Sequence, residues 1–192
     1  TNNSNENIQI LAIARLVPEK GLYYILEALD PILSEQDNIQ FTIIGEGPMK
    51  PLLRREIQTR ELSNSINLKG TVSHSQIPTI LRNADIFINH SVDVAGWEEF
   101  FGAANIEAMA CGLPCVISDS GSIPYVARAP DGVELVEQRD VVDLRKNIED
   151  LIHSPSKRSK MGYRARNFVE QNYSIEAISE KYHQMLQRGL ES

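Results

Sequence analysis

IQILAIARLVPEKGLYYILEALDPILSEQDNIQFTIIGEGP, residues 8–48, reads as strand, helix and strand in succession. Residues 8–14 form a near-continuous apolar run, the pattern of a strand covered on both faces. Leu22, Ile25, Leu26, Leu29, Ile32 and Leu33 then recur at intervals of three and four, the stripe of an amphipathic helix. Residues 39–44 (IQFTII) make a second strand, stopped by Gly45-Glu46-Gly47-Pro48. Two such strands joined through a helix form a parallel unit, because the helix is what carries the chain back to the starting edge.

The alternation continues outward. A helix can start at Pro51, in the first turn where a missing N–H costs nothing, and run through Leu53 and Ile57. Short strands are expected at 66–69 and 85–89, with a helix carrying Ile77, Ile80 and Leu81 between them. Pro78 makes Ser75 rather than Ser73 the expected cap of that helix, since the proline then falls where no backbone N–H is needed. A small-residue helix follows at 102–110 and a buried strand at 114–118 (PCVIS). Beyond 132–136 the chain is helical, over 139–153, 155–171 and 174–188, with Ser154 capping the second of these and Pro155 in its first position. The class is α/β: a Rossmann-like doubly wound parallel sheet over residues 8–188, preceded by a polar tail at 1–7.

Composition narrows the partners. The 192 residues suit one domain with a full core. Nineteen basic against 26 acidic residues leave a net charge of −7, without the electrostatic footprint of a nucleic-acid binder, so an anionic ligand needs a local basic pocket. Cys111 and Cys115, spaced C-x-x-x-C, match neither a redox pair nor a zinc knuckle and read as small buried thiols in a reducing compartment. The longest apolar stretch is about five residues, at 10–14, against the roughly 20 a membrane span needs. The opening TNNSNEN lacks a signal-peptide pattern and an initiator Met. A segment of a longer cytoplasmic protein is expected, with any peripheral contact at the inner membrane face made through its N-terminal part.

In such a sheet ligands gather beyond the carboxyl ends of the strands, where strand order reverses. The turn after the first strand, residues 14–21, offers Arg15 and Lys20 rather than a glycine-rich loop. Arg grips two phosphate oxygens with a planar fork and Lys acts as a mobile point charge. Each is worth about 4 kcal/mol of unscreened attraction at about 4 Å and an effective dielectric near 20. Taken alone, the turn is equally consistent with two solvated charges. Gly45-Glu46-Gly47 is a lone G-x-G with Lys50 where a third Gly would stand, and 70–73 is a polar turn whose backbone could meet a base edge. Residues 91–98 (SVDVAGWE) form a long irregular segment of the kind that carries function.

The richest stretch is WEEFFGAANIEAMACGLPC, residues 97–115. Glu99 and Glu107 stand eight apart, an interval that Glu19–Glu27 and Glu27–Glu35 share on what can be a solvated face. Context distinguishes Glu107: its helical neighbours Ala103, Ala104, Ala110 and Cys111 are all small, leaving room for a ligand to approach the carboxylate. Small residues that let the helix pack tightly, and acids matched to a helix dipole at Glu98 and Glu99, are the plainer alternatives. The helix start at 100–103 offers free backbone N–H groups suited to a phosphate.

Across these blocks the chain resembles the C-terminal, donor-binding domain of glycosyltransferase family 4, retaining enzymes of the GT-B fold. The resemblance runs from about Ile8 to at least Val169, through ARLVPEKG (14–21), IIGEGP (43–48), LKGTVSHSQIPTILRNADIFI (68–88), EFFG followed by IEAMACGLPCV (99–116) and GSIP (121–124). It implies that Arg15 and Lys20 hold the donor diphosphate and act in catalysis with Glu99. It further implies that Val72 contacts the base and Glu107 the ribose. Glu99 with Gly47 and the Phe101, Gly102 and Ala103 backbone would face the sugar and phosphates. The implied reaction moves a hexosyl unit from a nucleotide-diphosphate sugar to a glycan, lipid-linked sugar or small molecule, with no metal and no other cofactor. No D-x-D occurs, and His74, His90, His153 and His183 show no ligand spacing, which suits structural or surface roles. Phe100, Ser122 and Tyr125 depart from the family's usual residues around the sugar. Acceptor recognition falls to an N-terminal domain outside this chain. The rival classes are a nucleotide-sugar epimerase or phosphorylase on the same scaffold, a redox domain (disfavoured by the absent G-x-G-x-x-G) and a non-catalytic doubly wound module.

Overall fold

The computed structural model describes residues 7–129 and 132–190, so residues 1–6 of the polar tail lie outside the described part. Six parallel strands form one sheet in the order β3-β2-β1-β4-β5-β6: β1 Ile8–Ile13, β2 Ile39–Ile44, β3 Ile66–Gly70, β4 Ile86–Asn89, β5 Cys115–Ser118 and β6 Val133–Val136. The helices are α1 Leu22–Glu35, α2 Lys50–Thr59, α3 Ile77–Arg82, α4 Ala103–Ala110, α5 Ile123–Val126, α6 Val141–His153, α7 Pro155–Tyr173 and α8 Ile175–Leu190. This is the doubly wound Rossmann-like sheet expected from the alternation.

The pleat explains the continuous apolar strands. Ile10, Ala12, Phe41, Ile43, Ile86 and Ile88 join one core with α1, α2 and α6, while Leu11, Ile44, Phe87, Cys115 and Ile117 join a second with α3, α4, α5 and α7. Each fully buried large side chain contributes about 1.5–3 kcal/mol. Within α1, Pro31 leaves the Glu27 carbonyl without its helical partner; Arg145 Nη2 reaches that oxygen at 3.4 Å, and Arg145 Nε reaches Ala28 O at 3.2 Å. The helix therefore continues through its proline by borrowing a donor from α6. α4 crosses α7 where an added Cβ on Gly162 would stand 1.9 Å from the Gly112 carbonyl oxygen. Among the described residues no helix is long and apolar enough to cross a membrane.

Several boundaries differ from expectation. Ser73, not Ser75, caps the segment before β4: its N–H and hydroxyl both donate to Gln76 Oε1, at 3.1 and 3.0 Å. A 3-10 turn at His74–Gln76 intervenes and α3 starts only at Ile77, so Pro78 sits in the first turn by a different route. α4 starts at Ala103 because Gly102, at φ 64°, caps it. α6 starts at Val141 because Asp140 accepts the Asp143 N–H at 2.9 Å, two residues later than expected. α7 runs two residues further, to Tyr173, capped as expected by Ser154. The one-turn α5 was not expected at all. Cys115 is buried with its thiol pushed up by burial, whereas Cys111 is only half-buried.

His90, just past β4, is fully buried. Its Nε2 accepts the Arg139 N–H at 3.0 Å, which fixes a neutral ring with the proton on Nδ1, and Nδ1 has no partner. Burial pulls its pKa from 6.5 down to about 4, against the opposing pull of Asp119 and Asp140. The unfolded chain thus takes up a proton near pH 6.5 that the folded chain refuses until about pH 4. The stabilisation is complete above that range and lost as pH falls through it. Denaturant titrations at pH 7 and pH 4.5 should show His90→Asn losing about 2–3 kcal/mol less than the parent over this interval; parallel losses would remove the assignment.

Candidate functional site

Strand order reverses between β1 and β4, so the turns that leave these two strands border one crevice. The β1 turn ends in a 3-10 turn, Pro18–Lys20, closed by Gly21 at φ 57°. A Cβ there would stand 1.9 Å from the His90 carbonyl oxygen, so glycine is what lets this turn lie on the end of β4. The Val92 N–H donates to Glu19 O at 2.9 Å and ties the two turns together. Lys20 is thereby set onto Glu99, its Nζ hydrogen-bonded to Oε2, with the two side chains 14% and 13% exposed. The Ser91 hydroxyl donates to the same oxygen at 3.2 Å, and Lys20 Nζ lies 4.9 Å from the centre of the Trp97 ring. Val94 and Trp97 exchange backbone hydrogen bonds of 3.0 and 2.9 Å, which folds the irregular segment back on itself.

Arg15 faces differently. Its side chain is 66% exposed and 3.7 Å from Glu19, so each cation of the turn has a carboxylate of its own. Arg15 and Val72 line a cavity of about 300 Å³, with Ile13, Ile44 and Ile77 as apolar walls and Glu46, paired with Lys50, at its rim. Gly47 lies against the backbone of Leu16: an added Cβ would come 2.4 Å from Leu16 O, and the Leu16 N–H donates to Glu46 O at 2.9 Å. Close packing of the two turns is sufficient reason for this glycine. Glu107 is half-exposed on α4, 4.0 Å from Nδ1 of His74, and is not one of the residues that line this cavity.

Phe101, Gly102 and Ala103 open α4. The Phe101 ring meets Tyr173 edge-on at 5.8 Å. A Cβ on Gly102 would collide with Ile123 Cδ1 at 2.5 Å. Beneath this end Asn105 Oδ1 accepts from Asn89 Nδ2 at 2.7 Å, while the buried Asn105 Nδ2 has no partner. The turn at 119–122 presses on Glu99, whose N–H donates to Ser120 Oγ at 3.4 Å and whose carbonyl accepts the Ser122 N–H at 2.8 Å. The structure thus joins Lys20 with Glu99, sets Arg15 and Val72 around one cavity, and places Glu107 beside His74. Sequence reasoning did not single out Ser91, Trp97 or Ser120, and it gave His74 a structural or surface role. The irregular segment at 91–98 pointed towards the first two; isolated polar residues such as the others carry no local signal.

Compared with known proteins, residues 1–168 match the profile of the family described as "Glycosyl transferases group 1". A GDP-mannose-dependent monoacylated alpha-(1-6)-phosphatidylinositol monomannoside mannosyltransferase of Corynebacterium glutamicum is 29% identical over 180 residues, 91% of this chain and 45% of its own length. The structure of Anabaena HepE in complex with UDP superposes with a TM-score of 0.83 at 20% identity, covering 96% of this chain and 50% of that one. The C-terminal domain of a glycosyl transferase group 1 family protein (LpcC) from Francisella tularensis superposes with a TM-score of 0.78 at 23% identity, covering 88% of each chain. The chain spans less than half the length of curated relatives it matches.

The part-buried ion pair yields a stability test. Truncating one partner strands the other charge away from water at a cost of about 3–5 kcal/mol. Lys20→Met and Glu99→Gln should each destabilise by about that order, and the double variant by clearly less than their sum, as a double-mutant cycle in denaturant would read. Additive losses would mean the two side chains are not coupled.

Proposed function

The chain belongs to the glycosyl transferases group 1 family (GT-B), and on that premise we propose that residues 8–188 are the donor-binding domain of a retaining glycosyltransferase of family 4. The reaction moves a hexosyl unit from a nucleotide-diphosphate sugar to a glycan, lipid-linked sugar or small molecule. An N-terminal domain in the remainder of the protein would contribute acceptor recognition, and this chain by itself would be inactive. The observation that carries the proposal is the Lys20–Glu99 pair at the strand-order reversal, beside a cavity walled by Arg15 and Val72.

The pair suits an exchange of partners. In a chain of net charge −7, Lys20 is held ready by a carboxylate rather than by water. An arriving diphosphate, with more charge and more oxygens than Glu99, takes the ammonium, and the freed carboxylate accepts from hydroxyls of the sugar. Arg15, exposed at the cavity mouth, closes its fork on the same diphosphate. The cavity takes the base against Val72, Glu107 the ribose hydroxyls, and the Phe101–Ala103 backbone at the start of α4 a phosphate. The acceptor hydroxyl attacks the anomeric carbon from the face the diphosphate leaves: the new C–O bond forms as the bond to the diphosphate oxygen breaks, the hydroxyl proton passes to the departing phosphate, and the anomeric configuration is retained; Lys20 and Arg15 stabilise the charge growing on the leaving oxygen. Glu99 orients the sugar rather than forming a bond to it. The scheme assigns no step to a metal. A cytoplasmic setting, where nucleotide sugars are made, fits the same reading, with membrane contact left to the rest of the protein.

Titration of this chain with UDP, GDP and ADP, read by calorimetry and by fluorescence of its one tryptophan, Trp97, should give weak binding selective for one base. Failure of all three to bind would falsify the donor assignment. Glu99→Gln, which frees Lys20, should tighten the chosen nucleoside diphosphate while weakening its sugar conjugate. In the longer protein Arg15→Ala should lower turnover by more than about tenfold; unchanged turnover removes Arg15 from the mechanism.

A further inference from the structure

The segment at 91–99 carries Ser91, Trp97 and Glu99, yet its middle contributes little to either core. Its anchor is a distant residue. The Asp93 N–H donates to Gln138 Oε1 at 2.6 Å, and Gln138 Nε2 donates back to Asp93 Oδ2 at 2.9 Å, so one amide side chain engages both the backbone and the carboxylate of a single residue. The other carboxylate oxygen, Oδ1, accepts from the Ser120 hydroxyl at 2.6 Å, and that hydroxyl oxygen in turn accepts the Glu99 N–H at 3.4 Å. Arg139 Nη2 donates to the Asp93 carbonyl at 2.6 Å.

Gln138 is itself held. Its N–H donates to Asp119 Oδ1 at 3.0 Å, beyond β5, and the next N–H, that of Arg139, goes to His90 beyond β4. Arg139 takes a left-handed conformation, φ 66°, at a cost of about 1–2 kcal/mol for a residue with a Cβ. The corner after β6 thus adopts a strained shape in which its backbone N–H groups bind Asp119 and His90 while the side chains of Gln138 and Arg139 reach Asp93. The Ser120 and Gln138 hydrogen bonds also hold the Asp93 carboxyl below its ordinary range, which favours the ionised form that accepts them.

We propose that Asp93 and Gln138 are positioning residues: their reciprocal pair fixes the 91–99 segment on the corner after β6 and, through Ser120, sets Glu99 against Lys20. The consequence for ligands rests on the reading of Glu99 as the sugar-facing carboxylate. On that reading, loosening the pair removes the affinity gained from the sugar, while the nucleoside diphosphate keeps its contacts with Lys20, Arg15 and the cavity.

The bond can be broken and rebuilt with its direction reversed. Gln138→Glu sets a second carboxylate against that of Asp93. Adding Asp93→Asn restores a donor on the other side: the new amide N–H donates to the carboxylate at 138, its carbonyl oxygen still accepts from Ser120, and the backbone N–H at 93 keeps its acceptor. In this chain, Gln138→Glu should speed amide exchange at 92–99 by about tenfold, a coupling of about 1.4 kcal/mol. It should also shift Trp97 emission to the red and cut the preference for nucleotide sugar over nucleoside diphosphate by a similar factor. The double variant should return all three to within about twofold of the parent. Parent-like exchange and emission in Gln138→Glu would overturn the proposal, as would a double variant worse than either single change. If the parent shows no preference for any nucleotide sugar, the reading of Glu99 fails, while exchange and emission still decide whether Asp93 and Gln138 hold the segment.

Discussion

The close approach of Gly21 to the His90 carbonyl is the contact on which the site depends. Two adjacent parallel strands whose connections run to opposite faces leave a crevice between their exits, and its width is set by how nearly the two backbones can meet. A side chain at position 21 would have to occupy the place of that carbonyl, 1.9 Å from its own Cβ, in a backbone conformation that already disfavours one. With glycine there, Glu19 reaches the Val92 N–H, and Lys20 is carried to Glu99 rather than out to water. Gly45 and Gly47 close the neighbouring exit in the same way, lying on Ala14 and Leu16, so the β1 and β2 turns form one surface beside the cavity.

Charge is arranged to match. The chain is acidic overall, and among the described residues Lys20 sits mostly buried against a single carboxylate, a hydroxyl sharing that oxygen and an indole face beside it. Such a pair is not a large source of stability, because burying both charges costs much of what their attraction returns. It is costly to break one-sidedly, however, which suits a cation kept in place until a stronger anion arrives. Arg15 is the opposite case: exposed and long, its planar fork is spent on one loose contact with Glu19, and it stays free to turn.

The supports of Glu99 come from four places in the chain. Ser91 lies beyond β4, Ser120 beyond β5, Gln138 beyond β6 and Lys20 beyond β1. Parallel strands bring all four exits to one edge, so a polar network can be assembled there from single residues at four turns. Arg139 keeps its left-handed backbone because both its N–H and its guanidinium are bound, to His90 and to Asp93.

Fold class was legible because apolar periodicity is a local property: residues 8–14, 39–44 and the stripe from Leu22 to Leu33 state their partners' faces without knowing who the partners are. Arg15, Lys20, Glu99 and Glu107 were legible as candidates for the same reason, each standing at a strand exit or on a small-residue helix. Local pattern misjudged elements shorter than its own period, such as α5 and the 3-10 turn before α3, where Ser73 rather than Ser75 supplies the cap. What only the tertiary structure decided is which charges meet. Nothing along the chain says that Lys20 takes Glu99, 79 residues away, while Arg15 takes Glu19, or that Gln138 grips Asp93. Those choices follow from distances between strand exits, fixed by sheet order and by backbone contacts at glycine. Hydrogen bonds and ion pairs act over a few ångströms in space whatever the separation in sequence.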